Sequence, residues 1–168
     1  QIRKDLSYFG KFGVRGKGYK IQALIDRITE ILGTTEPCGC ILVGVGNLGQ
    51  ALLAYEGFAE HNFQIRAGFD VDPDKVGTTI EDVPIHSMED LGSFLEETPV
   101  DLAILAVPAE NGPDVMDALV DNGILGILNF APFVPEVPDN VMVESVDLST
   151  NLEVLAYYTN HSSEASSV

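Results

Sequence analysis

The stretch Gly44-Val45-Gly46-Asn47-Leu48-Gly49 constrains the fold of this chain more than any other feature of its sequence. Before it, residues 40–43 (CILV) are apolar throughout and read as a buried strand. After it, the residues from Asn47 to about Ala59 read as a helix. Glycines at G-x-G-x-x-G spacing between a strand and a helix form the turn of a dinucleotide-binding βαβ unit. In that reading Gly44 permits the tight turn, Gly46 lets a pyrophosphate approach the backbone, and Gly49 lets helix and strand pack closely. Amides at the helix start then hold an anion without help from Lys or Arg. The second strand, NFQIRAGFDVD, reaches Asp70 21 residues beyond Gly49, where an acid is expected to accept hydrogen bonds from a ribose diol. Lys75 reads as too far along to change that preference toward a 2′-phosphate.

The remaining pattern supports the same fold class. DVPIHSMEDLGSFLEE supplies a short strand, then a helix capped by Ser87 with Asp90 three residues on. VDLAILAV is the most strand-like run, and PAENGPDVMDALVDNG follows as a helix with Pro113 in its first turn and Gly123 after its end. ILGILNF and VMVESVD are further strands, and a last helix from Leu148 carries Leu148, Leu152, Leu155 and Tyr158 on one face. Apolar strands alternating with helices predict an α/β protein, a Rossmann-type parallel sheet with helices on both faces.

Charge is segregated along the chain. The formal charge is −17, yet residues 1–20 hold Arg3, Lys4, Lys11, Arg15, Lys17 and Lys20 against the single acid Asp5. Beyond residue 20 only Arg27, Arg66 and Lys75 face 25 acids, so that part repels nucleic acid and the first twenty residues attract it. Cys38 and Cys40 form an isolated C-x-C with no close partner, which reads as two thiols in a reducing cytoplasm and no metal site. No apolar run reaches the roughly 18 residues of a membrane span, and no leader opens the chain.

No catalytic residues are expected. The chain has no Y-x-x-x-K, His61, His86 and His161 read as surface residues, and no Lys or Arg after Lys75 is available to clamp a substrate carboxylate. Binding without catalysis fits better than a dehydrogenase. The front segment explains what the binding serves. QIRKDLSYFG reads as a helix exposing Arg3, Lys4, Ser7 and Tyr8, and GKFGVRGKGY as a glycine-punctuated hairpin with Lys11, Arg15 and Lys17 toward its tip. A basic helix followed by a basic hairpin is the latter part of a winged helix-turn-helix, whose helix enters a major groove. From Tyr19 the apolar stripe Ile21, Leu24, Ile25, Ile28, Ile31 and Leu32 forms another helix, ending at Gly33.

QIRKDLSYFGKFGVRGKGY, GVGNLGQALL, GFDVDPDKVG, ILNFAP and VDLSTNLEVLAYY, in that order, resemble the Rex family of bacterial redox-sensing repressors. The resemblance runs from Gln1 to about Tyr158. It implies a cytoplasmic homodimer that binds double-stranded operator DNA through N-terminal winged helices and senses NADH against NAD⁺, with NADH releasing the DNA of fermentation and respiration genes. It implies that Gly44, Val45, Gly46, Asn47, Leu48 and Gly49 hold the pyrophosphate, with Asp70 and Val71 at the adenosine ribose. Val107, Pro108, Asn129, Phe130 and Ala131 then line the cofactor toward the nicotinamide.

The resemblance further implies a terminal helix exchanged between subunits through Leu152, Leu155 and Tyr158, with Asp147 as an inter-subunit switch contact. The expected organisation is a winged-helix remnant at 1–33, a Rossmann NAD(H)-binding domain at 34–147, the exchanged helix at 148–160 and a disordered tail at 161–168. Family members carry about 50 more residues before this point, so the chain is expected to be a fragment lacking the first part of the DNA-binding domain. The rival reading is a CoA- or nucleotide-binding Rossmann module of a metabolic enzyme.

Overall fold

The computed structural model describes residues 13–14, 18–19, 22, 25 and 37–162. Arg3, Lys4, Ser7, Tyr8, Lys11, Arg15 and Lys17 lie outside the described residues, as does the tail from residue 163. The chain divides into two compact units, one of Gln1–Cys38 with Glu56–Gln64, the other of Gly39–Tyr55 with Ile65–Val168.

In the first unit, β1 (Gly13–Val14) pairs antiparallel with β2 (Gly18–Tyr19), Gly13 opposite Tyr19 and Val14 opposite Gly18. That is where glycine punctuation predicts a hairpin. Gln22 and Ile25 are helical and exposed. A short helix (Gly57–Glu60) ends in a turn at which Asn62 takes φ 64° and its carbonyl accepts the Cys38 N–H at 2.8 Å.

In the second unit the sequence pattern becomes a seven-stranded sheet. Its strands are β3 (Cys38–Val43), β4 (Phe63–Asp70), β5 (Thr79–Ile80), β6 (Val83–Ser87), β7 (Leu102–Leu105), β8 (Gly126–Asn129) and β9 (Met142–Ser145). Their order across the sheet is β5-β6-β4-β3-β7-β8-β9. The pairs β4–β6, β3–β7, β7–β8 and β8–β9 are parallel, and the edge strand β5 runs antiparallel to β6. Both faces are covered, so the inner strands bury every residue of Ile41–Val43 and Ala103–Leu105. The core continues through Phe69, Leu91, Met116, Leu119 and Ile127. This is the Rossmann-type α/β sheet that alternating apolar strands and helices predict.

Three local departures have physical causes. The helix expected over Asn47 to Ala59 is broken: α1 spans Asn47–Leu53, and the separate short helix Gly57–Glu60, α2, follows. The Tyr55 N–H turns back to the Leu52 carbonyl at 3.2 Å, closing the last turn tightly, and Gly57 costs about 1 kcal/mol relative to Ala within a helix. Ser87 does cap a helix start, accepting the Glu89 N–H at 3.3 Å, but the first turn (Met88–Asp90) is 3₁₀ before α3 (Leu91–Glu97) begins. His86 is half-buried rather than on the surface, its ring 5.7 Å from Phe69 and 5.3 Å from Phe94. Aromatic packing explains it, because one strand face at residue 86 points at α3.

Helix α4 (Gly112–Asp121) carries Pro113 in its first turn and ends before Gly123, at φ +86°. The last helix, α5 (Leu148–Ser162), runs two residues past the expected boundary at 160. Leu148, Leu152, Leu155 and Tyr158 on it are 60–67% exposed. Among the described residues no helix is long and apolar enough to cross a membrane.

Candidate functional site

The sheet reverses its winding between β3 and β7. From β3 the chain moves outward one way to β4 and β6, while β7, β8 and β9 extend the other way. In open α/β sheets ligands bind in the crevice outside the strand C-termini at such a switch point. Gly44 follows β3 and Val107 follows β7, so the two loops meet there.

The three glycines differ in what surrounds them. Gly44 adopts φ +94°, and a Cβ on it would lie 2.5 Å from the Ala106 carbonyl oxygen. A Cβ on Gly49 would collide with the Gly44 carbonyl, so helix and turn touch backbone to backbone. A Cβ on Gly46 would meet nothing within 4 Å. The turn is therefore closed toward the core at Gly44 and Gly49 and open toward the crevice at Gly46. No side chain caps the first turn of α1, and no acid stands in it, so no side chain of the turn competes with an anion for its amides. Val45 and Gly49 are buried, whereas Gly46, Asn47 and Leu48 are exposed.

Asp70 ends β4 beside this turn. Its Oδ2 accepts the Val45 N–H at 2.8 Å, and its Oδ1 accepts the Asp72 N–H at 2.9 Å. Lys75 Nζ reaches the same Oδ2 at 3.3 Å and Asp72 Oδ2 at 3.2 Å. Sequence distance misjudged Lys75: a turn over residues 72–75, with the Lys75 N–H on the Asp72 carbonyl at 3.0 Å, folds the ammonium back. Burial raises the Asp70 pKa, but hydrogen bonds from Asp72, Val45 and Lys75 outweigh it and leave the carboxyl below its ordinary value. Val71 is 77% exposed beyond it.

On the other side of the switch point a cavity of about 550 Å³ opens beside β8 and β9. Leu48, Phe130, Ala131, Phe133 and Val134 give it an apolar lining, and Ser145 to Ser149 line it too. Phe130, Ala131 and Leu48, expected along the cofactor, thus share one cavity. Asn129 lines its floor but is 1% exposed, with its side chain turned onto its own loop. Val107 stands at Gly44, and Pro108 is exposed at the start of the next loop. Asp147 caps α5: Oδ1 accepts the Ser149 N–H at 2.9 Å and the Ser149 hydroxyl at 2.7 Å, and Oδ2 accepts the Thr150 hydroxyl at 2.9 Å. These bonds pull its pKa down to about 2. The sequence offered one legible signal for this, D-x-S/T ahead of an apolar helix.

Among the described residues no group of three or more His, Cys, Asp and Glu side chains is placed to hold a metal. Cys40 is buried and Cys38 half-buried, both as thiols.

Comparison with known proteins sorts these features. The family of the CoA binding domain matches residues 35–133. The redox-sensing transcriptional repressor Rex of Carboxydothermus hydrogenoformans is 48% identical over 157 residues, covering 94% of this chain and 76% of that protein. A crystal structure of RSP in complex with β-NAD⁺ and operator DNA superimposes with a TM-score of 0.90 at 36% identity, over 100% of this chain and 80% of that one. RSP in complex with β-NADH gives 0.81 at 35%, over 96% and 75%. RSP is itself described as a Rex-family repressor. Identity at this level over 94% of the chain means that the chain belongs to the Rex family of redox-sensing transcriptional repressors.

Proposed function

We propose that this chain is the sensing part of a transcriptional repressor that reads NADH against NAD⁺ and controls binding of a homodimer to double-stranded operator DNA. The observation that carries the proposal is the open face over Gly46 at the switch point, with Asp70 hydrogen-bonded beside it at Val45. Gly44 to Gly49 hold the pyrophosphate, Asp70 and Val71 meet the adenosine ribose, and Val107, Pro108, Phe130 and Ala131 line the way to the nicotinamide. When bound, the nicotinamide distinguishes the two ligands by one charge and by ring planarity. The apolar Phe130–Ala131 side favours the neutral, reduced ring. NADH therefore stabilises a closed dimer that releases DNA, as a ligand with differential affinity for two states must.

Arg3, Lys4, Ser7, Tyr8, Lys11, Arg15 and Lys17 supply the DNA contacts, and Leu152, Leu155 and Tyr158 the inter-subunit face of α5, with Asp147 at its base. The chain acts as a cytoplasmic regulator and not as an enzyme, in keeping with relatives that are named repressors.

The match to the CoA binding domain supports a second reading, in which the same turn holds the phosphates of CoA. Calorimetric titration with NADH, NAD⁺ and CoA separates them. Tightest binding of NADH, and release of operator DNA by NADH but not by NAD⁺, is the expected result. Preference for CoA, or equal effects of the two nicotinamides, overturns the proposal.

A further inference from the structure

Among the described residues Asn129 is the only buried polar side chain. Its Oδ1 accepts the Ala131 N–H at 2.9 Å, and its Nδ2 donates to the Ala131 carbonyl at 3.1 Å. The second Nδ2 hydrogen goes to the Ser145 hydroxyl at 3.3 Å, and the Asn129 carbonyl accepts the Val146 N–H at 2.8 Å. Both donors of the amide are thereby used, which leaves it no N–H to offer a ligand.

Both ends of this network line the 550 Å³ cavity. Ala131 belongs to its apolar lining. Ser145 and Val146 line it as well, immediately before Asp147, whose carboxylate caps α5. A shift of the Ala131 backbone must carry the Asn129 amide with it or break two short hydrogen bonds. A buried amide stripped of partners is costly, so rotating it in place is disfavoured. The amide in turn reaches the Ser145 hydroxyl, three residues before α5 begins at Leu148.

We propose that Asn129 is a positioning residue that couples occupancy of the cavity to the start of α5 through the Ser145 hydroxyl. It acts on neither ligand nor DNA directly. The proposal rests on the reading that the nicotinamide end of NADH enters this cavity.

Hydrogen exchange over residues 148–162 tests it, with and without saturating NADH, in the wild-type chain and in Ser145→Ala and Ser145→Thr. NADH binding to each is titrated separately, so that every comparison is made at saturation. NADH is expected to slow exchange in the wild-type helix by about fivefold or more, the lower end of typical coupling between sites. Ser145→Ala should lose most of that slowing at its own saturation, and Ser145→Thr, which keeps the hydroxyl, should retain it. If Ser145→Ala keeps the full effect, or if NADH binds the wild type without changing exchange in the helix, the coupling is overturned while the nucleotide reading stands. If the wild type binds no NADH, the proposed function fails and this inference with it.

Discussion

The carboxylate of Asp70 and the backbone amide of Val45 are joined by a 2.8 Å hydrogen bond that ties the end of β4 to the glycine turn after β3. The same oxygen receives Lys75 Nζ at 3.3 Å. Asp70 therefore holds the turn, besides the ribose contact proposed for it above. Asp70→Ala removes both roles, and NADH binding is expected to weaken by about 1–3 kcal/mol, the scale of losing hydrogen bonds to a charged group. Calorimetry of the variant checks this. Unchanged affinity would move the ribose contact elsewhere.

Glycines 46 and 49 should respond in opposite ways to a methyl group. Gly49→Ala drives a Cβ into the Gly44 carbonyl, and overpacking of this kind costs about 1–3 kcal/mol of stability. Gly46→Ala meets no protein atom, so its denaturant midpoint should stay near wild type. Its NADH affinity should nevertheless fall, by about tenfold (1.4 kcal/mol). Denaturation curves together with titrations separate the two outcomes.

Acid should loosen the base of α5. The Asp147 pKa is depressed from 3.8 to about 2 by hydrogen bonds from Ser149 and Thr150. A depressed folded-state pKa contributes stability that is complete above the ordinary value and is lost as pH falls through the folded one. The window for Asp147 accordingly lies between about pH 4 and pH 2. Asp70 is shifted in the same direction and adds to the loss. Protection of the amides of residues 148–152, taken relative to their intrinsic exchange rates at each pH, should fall across that window, and Asp147→Asn should flatten the dependence.

Salt should stabilise the folded chain. A formal charge of −17 leaves it repelling itself, and added salt shortens the reach of that repulsion to about 3 Å at 1 M. The thermal midpoint is expected to rise between 0.05 and 0.5 M sodium chloride, by about a few degrees. A midpoint independent of salt would show that the acidic side chains lie too far apart to matter.

Much of the molecule was legible before its structure. Apolar runs such as Ala103–Leu105 belong to strands buried on both faces, and G-x-G-x-x-G between strand and helix admits few backbones. Asp70 could be placed because the length of one βαβ unit is nearly constant. The break at Tyr55 was harder to see, since a seven-residue helix and a longer one begin with the same periodicity and differ only in how the last turn closes.

Short-range pattern alone thus determined the strand-turn-helix that faces the crevice, because glycine stereochemistry and strand periodicity are local properties. Tertiary structure decided the rest. Lys75 folded back onto Asp70 through a turn that sequence distance concealed. Asn129, read from sequence as a cofactor contact, turned inward because its partners are its own loop and a hydroxyl 16 residues away on the next strand. A polar side chain's direction is set by whichever partner satisfies it, and that partner is known only once the strands lie side by side.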